Sequence, residues 1–185
     1  MPIDDDKMSR LPDALRPVVS LWFDRLEEAH GRPALAEDIE DQLLRVVAVS
    51  EFARNALLRD WDYWRGRLEH LSSPPDLDEL KALTDDVGCG EASLEEAKSR
   101  LRRFRHRYML NVLWREVAGI AELDETLGSL SALADQMLAA AGRYAEARLE
   151  ERYGRFRDKG GEVVPLVVLA MGQLGGGELN FSSDI

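Results

Sequence analysis

The sequence predicts a mainly α protein whose end changes grammar, and three observations carry that prediction. Apolar residues recur at helical spacing through most of the first 155 or so positions. Two capping boxes, Asp76-Leu77-Asp78-Glu79 and Ser93-Leu94-Glu95-Glu96, open helical stretches. Near the end a continuous apolar run, Val163 to Met171, gives way to four glycines. The expected organisation is a helical region over 1–158 and a second region, over 159–185, that opens with strands.

Leu15, Val18, Val19, Trp22 and Leu26 make the first helical stripe, with Pro17 tolerated only in its first turn. Gly31-Arg32-Pro33 ends it. Leu35, Ile39, Leu43 and Val47 form a second stripe. Ser50 starts a helix bearing Phe52, Leu57 and Leu58, followed by Trp61 and Trp64. Ser72-Ser73-Pro74-Pro75 is a break. The Asp76 box opens a helix that stops at Gly88-Cys89-Gly90, glycine being favoured just past a helix end. The Ser93 box opens a helix with Leu101, Phe104, Tyr108 and Val112 on one side and Arg100 to Arg107 on its wet face. Gly119 lies near its end.

Asp124 is the expected cap of a long helix with Leu127, Leu130, Ala134, Leu138, Ala141, Ala145 and Leu149 along one side. Arg148 with Glu151, and Glu151 with Arg155, are spaced for ion pairs. Lys159-Gly160-Gly161 is a turn. Val163 to Met171 then reads as a strand buried on both faces, with Pro165 near its start where a ladder donor is dispensable. Leu179 to Ile185 reads as the approach to a second strand.

Composition bounds the function. The 185 residues carry a net charge of −11, nearly all of it in the first half. Nonspecific nucleic-acid binding works by neutralising phosphates, so such a chain is a poor candidate for it. No apolar stretch is long enough to cross a bilayer, and the acidic start lacks the apolar region of a secretory signal. The single cysteine, Cys89, cannot form an internal disulfide. The expectation is a cytoplasmic protein without membrane partners. His30, His70 and His106 have no ligand spacing and read as structural or solvated.

The chemistry lies at the end. Gly172, Gly175, Gly176 and Gly177 would let backbone N–H groups approach a phosphate, although a bare glycine cluster reads first as an ordinary turn. Neither a Walker loop nor a Rossmann fingerprint is present. Asp184 adds a carboxylate twelve residues after Gly172. Two carboxylates at alternate strand positions aim at one point and can hold Mg2+, which prefers hard oxygen ligands. Only the first is present before the sequence stops at Ile185.

The stretch Leu169-Ala170-Met171-Gly172-Gln173-Leu174-Gly175-Gly176-Gly177-Glu178-Leu179-Asn180-Phe181-Ser182-Ser183-Asp184-Ile185 closely resembles the first nucleotidyltransferase motif of the bifunctional glutamine synthetase adenylyltransferase/adenylyl-removing enzymes. Its wording is similar to that of their N-terminal, adenylyl-removing half. Leu101 to Leu110, Trp114-Arg115-Glu116, Leu123 to Leu127 and Leu130 to Asp135 resemble the helical region of that family, and Ser50-Glu51-Phe52-Ala53 is a weaker echo. The resemblance spans about residue 45 to the end.

It implies a polymerase-β-like α/β nucleotidyltransferase fold after the helical region, within a much longer protein with two catalytic halves. One half would remove AMP from a tyrosine of glutamine synthetase by phosphorolysis, releasing ADP, and the other would add AMP from ATP, under PII-type signal proteins and glutamine. Asp184 would be a catalytic Mg2+ ligand. Gly172, Gln173 and Gly175 to Gly177 would line the phosphates, and Ser183 would help orient the nucleotide. Gln173 stands where the family usually has Lys, so it can donate a hydrogen bond but brings no charge. With a single carboxylate, the polypeptide by itself is expected to lack adenylyl-removing activity. Its apolar strand is expected to be left with exposed edges, with weak amide protection from Leu166 to Leu169. Two other readings are a different polymerase-β-like nucleotidyltransferase and a noncatalytic helical interaction module with a vestigial strand.

Overall fold

The computed structural model describes residues 5–31 and 33–183. Helices dominate it, in the order α1 (Asp5–Ser9), α2 (Arg16–His30), α3 (Glu37–Val49), α4 (Glu51–Arg59), α5 (Trp61–Trp64), a 3₁₀ turn (Leu68–Ser72), α6 (Leu77–Gly88), α7 (Leu94–Val117), α8 (Leu123–Tyr153) and α9 (Gly172–Gly176). The mainly α expectation holds.

Local chemistry sets the helix ends. Pro17 sits in the first turn of α2, where a missing N–H costs nothing, and Gly31 ends that helix at φ 75°. Ser50 accepts the Ala53 N–H at 3.1 Å to cap α4. Asp76 accepts the N–H groups of Asp78 at 2.8 Å and Glu79 at 3.2 Å to cap α6. Ser93 accepts the Glu96 N–H at 3.3 Å. The expected Asp124 cap is displaced: α8 begins at Leu123, so Asp124 lies inside the first turn, where an acidic side chain complements the helix dipole.

The chain divides into two compact units. One comprises Met1–Pro74 and Leu110–Glu122, the other Pro75–Met109 and Leu123–Ile185, so α7 contributes to both. The first unit buries a continuous core of Val19, Trp22, Leu26, Leu43, Val46, Val47, Leu57, Trp61, Trp64, Leu68, Leu110 and Trp114. Two of its indoles satisfy their polar ends: Trp22 Nε1 donates to the Arg54 carbonyl at 2.9 Å, and Trp114 Nε1 to Gln42 Oε1 at 2.7 Å. Asn111 and Arg115 donate to carbonyls of the Leu71–Ser73 turn. Lys7, whose side chain is 8% exposed, is held by Glu40 at 2.7 Å and Asp41 at 2.9 Å. Both carboxylates raise its pKa above the usual lysine range.

In the second unit α6 packs along α8. Leu80, Thr84 and Val87 are buried, Arg143 reaches Asp85 at 2.9 Å, and Tyr144 donates its hydroxyl to the Ala92 carbonyl at 2.9 Å. Gly90 is required twice over. Its φ is +79°, and a Cβ there would lie 2.7 Å from the Ala147 methyl. On the arginine-rich face of α7, Arg100 pairs with Asp86 at 2.7 Å and Glu96 at 2.6 Å.

The extended end departs from expectation. Among the described residues there is no strand, and one antiparallel bridge, Arg157 to Val163, closes the Asp158–Glu162 turn. From Leu166 to Met171 no ladder forms, because a strand needs another backbone about 4.8 Å away and the described residues run none beside it. Leu169 and Met171 are 83% and 84% exposed. The stretch touches α8 where Leu166 N–H donates to Glu146 at 2.9 Å. Leu179 to Ser183 forms a turn rather than a strand approach. Arg148 pairs with Glu151 as its spacing predicts, whereas Arg155 pairs with Glu150 instead of Glu151.

Candidate functional site

The nominated residues fall on one short stretch of the second unit. Met171 leads into α9, a single tight turn with no side-chain N-cap. Amides of a helix's first turn have no intrahelical acceptor, and here Gly172, Gln173 and Leu174 hold those positions. Gly175 and Gly177 are spent otherwise: their N–H groups donate to the Met171 and Leu174 carbonyls at 3.3 and 3.1 Å. Gly175 is nonetheless needed, because a Cβ there would lie 2.6 Å from the Ala170 carbonyl oxygen. Gly177 closes the turn at φ +71°.

The chain then doubles back. Leu179 is buried, 6% exposed, and its N–H donates to Ser131 Oγ on α8 at 3.1 Å. Asn180 organises the turn that leads to Ser183. Its Oδ1 accepts the Ser182 N–H at 3.0 Å and the Ser182 hydroxyl at 2.8 Å, and lies 3.0 Å from Ser183 Oγ. Ser183 Oγ accepts the Asn180 N–H at 3.3 Å and lies 2.7 Å from Gln173 Oε1. One hydroxyl proton serves one acceptor, so an orientation of Gln173 with its amide nitrogen toward Ser183 satisfies every group at once. The fold thus brings Gln173 and Ser183 together across ten residues. Asp184 lies outside the described residues.

Behind this turn is a cavity of about 220 Å³ in the second unit. Leu101, Arg105 and Met109 of α7 line one side, and Leu130, Leu133, Ala134, Met137, Leu138 and Ala141 of α8 another. Leu179, Asn180, Phe181 and Ser183 close it. Its walls are apolar apart from Arg105 and the polar ends of the turn.

The donor set bears on a divalent cation. Asn180 and Ser183 offer oxygens of the hard type that Mg2+ prefers. However, no group of three His, Cys, Asp or Glu side chains converges among the described residues. The described residues therefore make no complete metal site, and they assign no catalytic step to an ion.

Residues 40–185 match the family described as glutamate-ammonia ligase adenylyltransferase. The chain belongs to this family. Bifunctional glutamine synthetase adenylyltransferase/adenylyl-removing enzymes are its relatives. That of Thioalkalivibrio sulfidiphilus is 39% identical over 179 residues, covering 95% of this chain and 18% of the relative. That of Shewanella loihica is 34% identical over 183 residues, with 95% and 18% covered, and that of Pseudomonas aeruginosa 39% over 156 residues, with 80% and 15% covered. The chain thus spans about a fifth of the length of these relatives. The match to this adenylyltransferase family takes in most of the helices together with the glycine turn.

Two residues of the site were not nominated from sequence. Asn180 stands inside the quoted motif, and its place two and three residues before Ser182 and Ser183 is the pattern of an Asx turn. Ser131 carried no local signal, because its partner is 48 residues away. Among the described residues no helix is long and apolar enough to cross a membrane.

Proposed function

We propose that this chain is the N-terminal portion of the adenylyl-removing half of a bifunctional glutamine synthetase adenylyltransferase/adenylyl-removing enzyme. The single observation that carries the reading is the motif Gly172 to Asp184 joined to the matching helical region in one chain. On this reading a nucleotidyltransferase domain begins at about residue 159. Val163 to Met171 becomes a ladder strand when further strands of that domain lie beside it, which would bury the side chains now exposed.

The substrates would be AMP-tyrosine on glutamine synthetase and inorganic phosphate, giving ADP and the free tyrosine, with AMP addition from ATP carried out in another half of the whole protein. Asp184 would act as the catalytic carboxylate and one Mg2+ ligand. Mg2+, when bound, would supply charge stabilisation at the α-phosphate. The first-turn amides that begin at Gly172 and Gln173 would face the phosphates, and Gly175 to Gly177 would keep the turn tight enough for that approach. Ser183 would help orient the nucleotide phosphate by turning its hydroxyl proton from Asn180 to a phosphate oxygen, with Gln173 beside it. Tyrosine has a pKa of about 10, so its phenolate is a fair leaving group once its charge is shared. Positioning and charge stabilisation would supply most of the rate. A cytoplasmic location and control by a PII-type signal protein fit the same reading.

The test uses the full-length enzyme, adenylylated glutamine synthetase and inorganic phosphate, with ADP release as the signal. Asp184→Asn is expected to lower release at least about a hundredfold while leaving AMP addition from ATP intact. Unchanged ADP release in that variant would refute the assignment. Residues 1–185 alone are expected to release no ADP above an Asp184→Ala control.

A further inference from the structure

Ser131 is an anomaly on its helix. It lies in the middle of α8, 6% exposed, beside the buried Leu130, Leu133 and Ala134. A serine in that setting has poor helix propensity, and its hydroxyl is costly to bury without a partner. The partner is the Leu179 N–H, 3.1 Å away in a buried contact. That amide has the complementary problem, since a buried backbone N–H must also be paired. Each group satisfies the other. Leu179 in turn immediately precedes Asn180, whose side chain gathers Ser182 and Ser183 into one turn. Earlier in the extension, the Leu166 N–H meets Glu146 in an exposed bond. The Ser131 contact is buried, and the motif turn hangs directly from it.

We propose that Ser131 is a positioning residue for the motif: its hydroxyl holds Leu179 on α8 and thereby fixes the turn that carries Asn180 and Ser183. This rests on the reading of that motif as an adenylyl-removing site. Ser131 touches no reacting atom on this account and acts through Leu179.

Two measurements test it. The first is amide exchange at Leu179 in residues 1–185, where Ser131→Ala is expected to speed exchange about tenfold, the equivalent of one lost hydrogen bond. The second is ADP release by the full-length enzyme. There Ser131→Ala is expected to lower kcat about tenfold or more while KM for phosphate stays within about twofold, because misplacement of a reacting group is felt in the transition state. Ser131→Thr, which keeps the hydroxyl, is expected to restore both. If Ser131→Ala loses helix content by circular dichroism, Ser131→Cys, similar in size with a weak acceptor, takes its place. Unchanged Leu179 exchange overturns the anchor. Faster exchange with unchanged kcat, or failure of Ser131→Thr to restore kcat, overturns the positioning role. Absence of ADP release by the unmodified enzyme instead overturns the functional reading and the positioning role with it, while the Leu179 exchange still decides whether the anchor exists.

Discussion

The two units draw on similar apolar sequence and use it differently. In the unit of Met1–Pro74 and Leu110–Glu122, tryptophans and leucines close a core around one another, and the Trp22 and Trp114 N–H groups find acceptors in the same unit. In the unit of Pro75–Met109 and Leu123–Ile185, α6 and α8 bury Leu80, Val87, Leu130, Leu133 and Tyr144 among the described residues, while Val163 to Met171 stays in solvent. That run is as hydrophobic as any in the chain. The contrast teaches that apolar content supplies the drive for burial, and a facing surface decides whether burial happens.

The largest effect expected to separate the two regions is a truncation on each side. Trp114→Ala removes a fully buried indole bonded to Gln42 and should cost about 3–5 kcal/mol. Leu169→Ala removes a side chain 83% exposed and should stay within about 0.5 kcal/mol. Urea unfolding followed by helix signal measures both, and a comparable loss at Leu169 would break the comparison.

A pH dependence comes next in size. Burial pushes the Tyr108 phenol up to about 12 from its ordinary value near 10. A raised folded pKa gives stability that is fully present below pH 10 and is lost as pH rises through about 12, because the unfolded chain gives up its proton first. The expected loss over that window is on the order of 2 kcal/mol, and Tyr108→Phe should remove it. Matching unfolding curves of the two proteins across pH 9 to 12 would contradict the burial of that hydroxyl.

The buried tyrosines also differ at neutral pH. Tyr144→Phe deletes the bond to the Ala92 carbonyl and should cost about 1 kcal/mol. Among the described residues the buried Tyr108 hydroxyl has no hydrogen-bond partner, so Tyr108→Phe should be near neutral or stabilising. Thermal unfolding of the pair at pH 7 checks the sign. The smallest effect belongs to the extension: Glu146→Ala should change stability by less than about 0.5 kcal/mol, with amides from Leu166 to Leu169 exchanging quickly before and after. Strong protection there would mean that the run has found a partner strand.

Much of this was legible beforehand. Ser50, Asp76 and Ser93 mark helix starts because a cap acts on N–H groups two or three residues away, and Pro17 marks one because a first-turn residue needs no donor. Gly31, Gly90 and Gly119 mark ends for an equally local reason. The motif was legible as residue types in order, and the fold brings Gln173 and Ser183 into contact. Other features had no local signature. Arg155 chose Glu150 over Glu151, an alternative that spacing alone could not rank. The strand expected at Val163 to Met171 is not shown by the described residues, because β structure is a property of pairs of segments.

By itself the sequence determined most of the long helices' starts and stops, the apolar stripes along them, and the chemical vocabulary of the Gly172 to Asp184 motif, all of which depend on neighbours within about four residues. Tertiary structure decided that Trp114 answers Gln42, that α7 serves two units, that Ser131 receives the Leu179 amide, and that an apolar run remains in water. Those outcomes depend on which distant surfaces meet, and helical periodicity carries no information about the partner across the interface.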